Sequence, residues 1–185
     1  FLEKLVKIYP VGEIKLTFVH PSKRSSWRVP FGTGRSVDRY LSNSRDEYLL
    51  YDPKSFIVLK TWLEVFNDKS MSNQNDLIQI SRNIHPALSD FLSKQDFENF
   101  TSKVLLKNNN PNEIEKQKHF WFDAFRTLKL IHYLRDETYP NINMFNAIDE
   151  LLKMMSIENM IKRNSAIPEL EIQKEYLLLL RKIQS

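Results

Sequence analysis

Residues 52–66 have the sequence DPKSFIVLKTWLEVF, and with this stretch the chain becomes helical. Asp52 followed by Pro53 is a typical helix start, because the aspartate caps the first amides and a proline at that position needs no amide partner. Apolar residues then recur at three- and four-residue steps, which predicts a helix from Pro53 to about Phe66. We therefore expect a helical chain from residue 53 onward.

Beyond residue 66, apolar residues at helical spacing predict a series of further helices. They are expected at about residues 77–84, 86–104 with a break near 93–96, 113–136, 141–155, 156–163 and 169–185. The helix over 113–136 is predicted to be the longest. In the last helix Leu178 and Leu179 make the sequence apolar on nearly all sides, so we expect this helix to lie between other helices or against a partner.

The first 52 residues show a different pattern. A short helix is predicted over 1–9, followed by a strand over 13–20, where apolar and polar residues alternate. Residues 21–44 carry prolines, glycines and serines without a helical period, which indicates a long loop around an extended piece at 26–31. Residues 47–51 are predicted to be a second strand that pairs with the first.

These patterns together predict a mainly α fold, an irregular bundle of about six to eight helices with a small β-containing N-terminal part. The class becomes α+β if the N-terminal strands form a sheet. We expect residues 1–52 to be the basic N-terminal part and residues 53–185 the helical domain, the two forming one compact unit. Because the chain begins with Phe1 rather than Met, we interpret it as a piece of a larger protein.

The composition argues against several classes of protein. The 185 residues include no cysteine, which excludes disulfides and thiolate metal sites and favours a reducing intracellular compartment, nuclear or cytoplasmic. Only three glycines are present, and no nucleotide-binding loop pattern occurs among them. No apolar run approaches the roughly 18 residues of a membrane span, so we expect no membrane partner.

Residue patterns for catalysis are also missing. The four histidines form no H-E-x-x-H or E-x-x-H pattern, and Glu115 with His119, like His132 with Asp136, is interpreted as part of a solvated helix face. His119 and His132 are predicted to share one helix, about 220° apart around its axis, so they do not converge on one metal. We predict no catalytic residue, metal, cofactor or small-molecule ligand.

One stretch, residues 23–40, combines basic and aromatic side chains. The first 40 residues contain eight basic and three acidic residues, so the whole basic excess of the chain lies there. Basic residues interleaved with aromatic ones are typical of surfaces that bind anionic partners. The candidate binding residues are Lys23, Arg24, Trp27, Arg28, Phe31, Arg35 and Arg39.

Three interpretations of this stretch stay open. It is a contact surface for a protein partner, including an acidic or phosphorylated peptide; it binds nucleic acid through phosphate contacts and base stacking; or Trp27 and Phe31 plug the edge of the core while the arginines lie on the surface. Phosphorylation of Ser25 or Ser26, behind Lys23 and Arg24, would reverse the local charge. A non-catalytic protein-interaction or scaffold module of a larger intracellular protein is the predicted function, with nucleic-acid binding as the alternative.

Overall fold

Helices dominate the protein, as the sequence predicts. The computed structural model describes residue 12, residues 24–28, 32–42, 46, 48–68, 73–105 and 110–184. Within these residues the chain forms nine helices and a two-stranded antiparallel sheet. The fold is therefore mainly α with a small β part, as expected.

The helices are numbered in chain order over the described residues. They are α1 (Thr33–Ser42), α2 (Lys54–Phe66), α3 (Gln74–Ile84), α4 (Pro86–Lys94), α5 (Phe97–Val104), α6 (Pro111–Trp121), α7 (Ala124–Glu137), α8 (Met144–Met154) and α9 (Leu170–Gln184). The strands are β1 (Leu49–Leu50) and β2 (Ile142–Asn143), with Leu49 opposite Asn143 and Leu50 opposite Ile142. The predicted strand at 47–51 thus has its described partner at 142–143.

The chain divides into two compact units. The described residues of unit 1 lie within 51–141, a single stretch of the chain from which residues 69–72 and 106–109 are left out. Those of unit 2 lie within 12–50 and 142–184, two stretches that are far apart in sequence. The predicted boundary between residues 52 and 53 stays a prediction, because much of residues 1–52 lies outside the described part.

Unit 1 is built around an aromatic cluster. Helices α2 and α4 both pack on α7, α3 packs on α2 and α4, and α5 packs on α4 and α6. Trp62 of α2 is fully buried, with ring centroids of Phe66, Phe97 and Phe122 at 5.0, 5.7 and 6.2 Å. Burial of such large rings is the main stabilising contribution to this unit.

Unit 2 has its own, smaller core. Phe145, Ile148 and Leu152 of α8 are buried with Tyr176 of α9. Both strands pack on α8, and the amide of Met144 donates a hydrogen bond to the Tyr48 carbonyl. The Tyr48 ring stacks on Phe145 at 6.1 Å, so the residues before β1 join the same core.

The predicted helix starts are confirmed where a capping side chain marks them. Asp52 accepts a hydrogen bond from the amide of Lys54 at 2.9 Å, and Asn143 accepts one from the amide of Phe145 at 3.0 Å. His85 caps the helix that opens at Pro86 through its Nδ1, which accepts from the amide of Ala87. These helix starts could be predicted from the sequence because capping depends on residues close to the helix end.

The predicted helix over 113–136 is wrong in one respect, since it is two helices. The break lies at Phe122 and Asp123, and the Asp123 carboxylate caps α7 by accepting from the amide of Arg126 at 3.0 Å. Phe122 is buried there in the aromatic cluster. His119 and His132 consequently lie on different helices. The break predicted near residues 93–96 is confirmed, with Asp96 in the left-handed conformation at φ 59°.

Two further expectations are corrected. Residues 33–42 form α1, although residues 21–44 were predicted to be a loop; Val37, Tyr40 and Leu41 hold a helical spacing over a stretch too short to stand out. Residues 156–163 are predicted to be helical but are irregular, and Met160 within them is 81% exposed. The chain turns at Ser156, which has a φ of 56°, and this ends the helical path of α8.

Some predictions fall outside the described residues. They are the helix over 1–9, the strand over 13–20 and the binding residues Lys23 and Phe31. Among the helices that are described, none is long and apolar enough to cross a membrane.

Candidate functional site

The candidate site is the basic and aromatic surface formed by residues 24–28 and helix α1. We call residues 24–28 the arm, and the arm with α1 the arm–helix surface. The arm is neither helix nor strand. Its Ser26 amide donates a hydrogen bond of 2.9 Å to the carbonyl of Gly34 in the first turn of α1. The arm is therefore held against the start of the helix.

Two glycines make this arrangement sterically feasible. Gly32 has a φ of 92°, a conformation that favours glycine, and its carbonyl accepts from the amide of Ser36 as α1 begins. At Gly34 a Cβ atom would lie 2.8 Å from the Ser26 Cβ and 3.2 Å from the Arg24 carbonyl oxygen. Only a residue without a side chain leaves the arm this close to the helix.

The arm and helix present aromatic and aliphatic side chains to solvent. Trp27 is 80% exposed, Leu41 71% and Tyr40 57%. The interpretation in which Trp27 plugs the edge of the core is therefore wrong, because its ring is not covered. Helix α1 has no buried residue at all. A ten-residue helix is marginal on its own, so packing against another surface would stabilise it.

Arginines alternate with these apolar side chains along the arm and α1. Arg24 and Arg28 are exposed on the arm. On α1, Arg35 forms an ion pair of 2.7 Å with Asp38, and Arg39 donates a hydrogen bond of 3.3 Å to the Ser36 hydroxyl. Asp38 therefore offsets the charge of Arg35, and with four arginines and one aspartate the arm and α1 carry a net positive charge in sequence.

Tyr40 of α1 influences the titration of Tyr48, a residue that packs against the core of unit 2. Partial burial, followed by a hydrogen bond with Tyr40, raises the pKa of the Tyr48 phenol. Tyr48 in turn stacks on the buried Phe145. Tyr40 is a residue outside the predicted set of binding residues. Tyr40 and Leu41 are absent from the predicted set because their helical spacing with Val37 covers too short a stretch to predict a helix.

Unit 2 also contains a polar cluster around Asp149, whose hydrogen bonds hold parts of the unit together. The Asp149 carboxylate on α8 accepts hydrogen bonds from the Tyr176 hydroxyl at 2.7 Å, from Asn159 at 2.6 Å and from Arg163 at 2.9 Å. Burial and the Asp149 hydrogen bond raise the pKa of the Tyr176 phenol. This cluster ties the irregular 156–168 segment to α8 and α9.

A third cluster lies on the surface of unit 1. Lys94 contacts both Tyr133 and Asp90, at 2.7 and 2.9 Å, and the Tyr133 hydroxyl donates to Asp90. Hydrogen bonds from Tyr133 and Lys94 lower the pKa of the Asp90 carboxyl. The three side chains join α4 to α7 at the surface and satisfy one another.

No group of three metal-ligating side chains occurs in the part of the chain that the structure describes. Comparison of the chain with models of known protein families, with curated protein sequences and with solved structures found no match.

Proposed function

We propose that this chain is a non-catalytic protein-interaction module of a larger intracellular protein and that the arm–helix surface contacts the partner. The observation that carries the proposal is Trp27, 80% exposed on an arm whose backbone is held against α1. Trp and Arg are enriched among the residues that contribute most to protein interfaces. Covering one large apolar side chain contributes roughly 2–3 kcal/mol.

The charge of the surface defines the chemistry of the partner. The arm and α1 carry Arg24, Arg28, Arg35 and Arg39 and a single acidic residue, Asp38, which pairs with Arg35. Complementary charge accelerates association and excludes partners of like charge. The partner segment that fits is acidic and carries at least one apolar side chain to contact Trp27.

The first prediction concerns binding of a fluorescein-labelled 15-residue peptide rich in glutamate and containing two leucines. We expect it to bind at low salt, measured by fluorescence anisotropy. Trp27→Ala should weaken binding by about tenfold or more, because the apolar contact is lost. The double variant Arg24→Ala with Arg28→Ala should weaken binding and reduce its dependence on salt concentration.

The matched control removes the same charge elsewhere. Lys103 and Lys116 are both exposed in unit 1, and replacing both by alanine should leave peptide binding nearly unchanged. If this control weakens binding as much as the arm variant, only net charge matters and the surface is not the site. Absence of binding at low salt contradicts the proposal.

Nucleic-acid binding is the alternative function, because an exposed Trp beside two exposed arginines also suits a base stacked on the ring and phosphates on the cations. The same experiment with labelled single-stranded 15-nucleotide DNA and RNA decides between the two. Oligonucleotide affinity above that of the peptide, lost in Trp27→Ala, would replace the protein partner by a nucleic acid.

A further inference from the structure

The arm contains two neighbouring serines in different environments. Ser25 is exposed, whereas Ser26 is half-buried. The Ser26 amide is bonded to Gly34, its Cβ lies against the Gly34 backbone, and its hydroxyl oxygen accepts from the amide of Arg28 at 3.4 Å. The two serines cannot be distinguished from the sequence. In the structure the Ser25 hydroxyl is accessible, whereas Ser26 packs against α1.

The surroundings of Ser25 suit a serine kinase. A kinase must place the acceptor hydroxyl in line with the γ-phosphate of ATP, and this requires an exposed chain that enters the active site. Residues 24–27 belong to no helix or strand, and Lys23 and Arg24 precede Ser25 in the sequence. Basic residues beside the acceptor complement kinases whose substrate clefts are acidic. Modification of Ser26 would require the arm to leave Gly34.

We propose that Ser25 is a phosphorylation site for a serine kinase that selects basic sequences, and that its phosphate weakens binding of the acidic partner. The second half rests on the proposed function. In the reaction the Ser25 Oγ forms a bond to the γ-phosphorus of ATP, and the bond from that phosphorus to the bridging oxygen breaks. ADP leaves with the electron pair, and the hydroxyl proton passes to the general base of the kinase.

The charge of the surface gives the direction of the effect. Residues 24–42 carry four arginines and one aspartate, a net charge of three positive units. A phosphoserine brings about 1.5 to 2 negative charges at pH 7, which cancels roughly half or more of that excess. Because Ser25 follows Arg24 and lies two residues before Trp27, a phosphate there repels an acidic segment that contacts the arm.

The test begins with the full chain, ATP and a purified serine kinase that selects basic residues, followed by mass spectrometry to locate the phosphate. We expect Ser25 to be modified several-fold more than Ser26. Ser25→Ala should remove most of the phosphate, and Ser26→Ala, the matched control, should retain it. A synthetic peptide of residues 19–31, which lacks α1, should accept phosphate on both serines.

Phosphate on Ser26 instead of Ser25 in the folded chain, or none on Ser25, overturns the site. The second step measures anisotropy of the glutamate-rich peptide against unmodified and phosphorylated chain. We expect at least a tenfold weaker affinity after modification and no such change for Ser25→Ala treated with kinase. Equal affinities overturn the regulatory half. If the unmodified chain does not bind the peptide, the proposed function fails, while the phosphate map still decides the site.

Discussion

Gly34 lies where the arm contacts the first turn of α1, and its missing side chain makes that contact close. The Ser26 Cβ would be 2.8 Å from a Cβ on residue 34, well inside ordinary contact distance. The neighbour is attached directly to the arm backbone, so it cannot swing aside as the end of a long side chain does. The position of Trp27, one residue further on, depends on this contact.

Gly34→Ala is therefore expected to displace the arm from α1. The amide of Ser26, which donates to the Gly34 carbonyl, should exchange its hydrogen several-fold faster, as measured by NMR hydrogen exchange. Overpacking of this kind costs about 1–3 kcal/mol. Here we expect it to weaken the packing of the arm against α1 by that amount. Peptide binding at Trp27 should weaken with it.

Gly12→Ala is the control for this substitution, because a Cβ at residue 12 meets no atom within 4 Å. It should leave both Ser26 exchange and peptide binding unchanged. Slow exchange of the Ser26 amide in Gly34→Ala would show that the close approach does not position the arm.

At the scale of elements, the boundaries that local chemistry specifies were predictable. Asp52, His85 and Asn143 each cap the helix that follows, and Pro86 opens α4 as predicted, whereas α6 begins at Pro111, two residues before its predicted start. The break at residues 122–123 was missed, because the apolar pattern continues through it and Asp123 also fits a helix interior. Burial of Phe122 among the rings of unit 1 decides the break, and this contact comes from residues distant in sequence.

The irregular 156–168 segment illustrates the same limit. Ile157 and Ile161 have the spacing of a helix face, yet the segment is held by side chains instead: Asn159 and Arg163 donate to Asp149. Tyr176 of α9 donates to the same carboxylate. Three partners thus converge on one carboxylate, which no spacing rule predicts.

Tyr176 makes the stability of unit 2 dependent on pH. Burial, then the Asp149 hydrogen bond, raises its pKa above the ordinary value of 10.0. The folded state holds the proton that the unfolded state releases, so this contribution is complete below about pH 10 and is lost as the pH rises through the folded-state pKa. We expect the free energy of unfolding to fall above pH 10.

Tyr176→Phe should flatten that fall, as measured by urea unfolding between pH 8 and 11 with circular dichroism. Part of the fall should persist, because the pKa of Tyr48 in the same unit is also raised, by partial burial and the Tyr40 hydrogen bond. If the free energy of unfolding falls with pH equally in the unsubstituted protein and in Tyr176→Phe, Tyr176 does not contribute to the pH dependence. The offset at pH 7 separately reports the lost hydrogen bond to Asp149.

At the scale of the whole molecule, the two units differ in how the chain builds them. The described core of unit 1 comes from residues 58–134, one stretch of chain with its own buried aromatic cluster. Unit 2 combines the residues before Tyr51 with those after Asn141, joined by the pairing of β1 with β2. Its formation therefore needs contacts between distant parts of the chain.

A fragment of residues 51–141 is accordingly expected to fold without unit 2. It should show a helical circular-dichroism spectrum and one cooperative urea transition. Trp62→Ala should destabilise the fragment by about 3–5 kcal/mol, because its ring is fully buried. Phe56→Ala is the control, since about half of that side chain is exposed, and it should cost much less. A fragment with no cooperative transition would show that unit 1 depends on the rest of the chain.

The mainly helical class, several capped helix starts and the basic and aromatic stretch could be predicted from the sequence, because hydrophobic period, capping and charge are local properties. The helix over residues 33–42, the exposure of Trp27, the difference between Ser25 and Ser26, and the joining of residues 142–184 to residues before Tyr51 emerged from the folded structure. Exposure and burial are properties of the packed structure, and the pairing of β1 with β2 joins residues that are far apart in the chain.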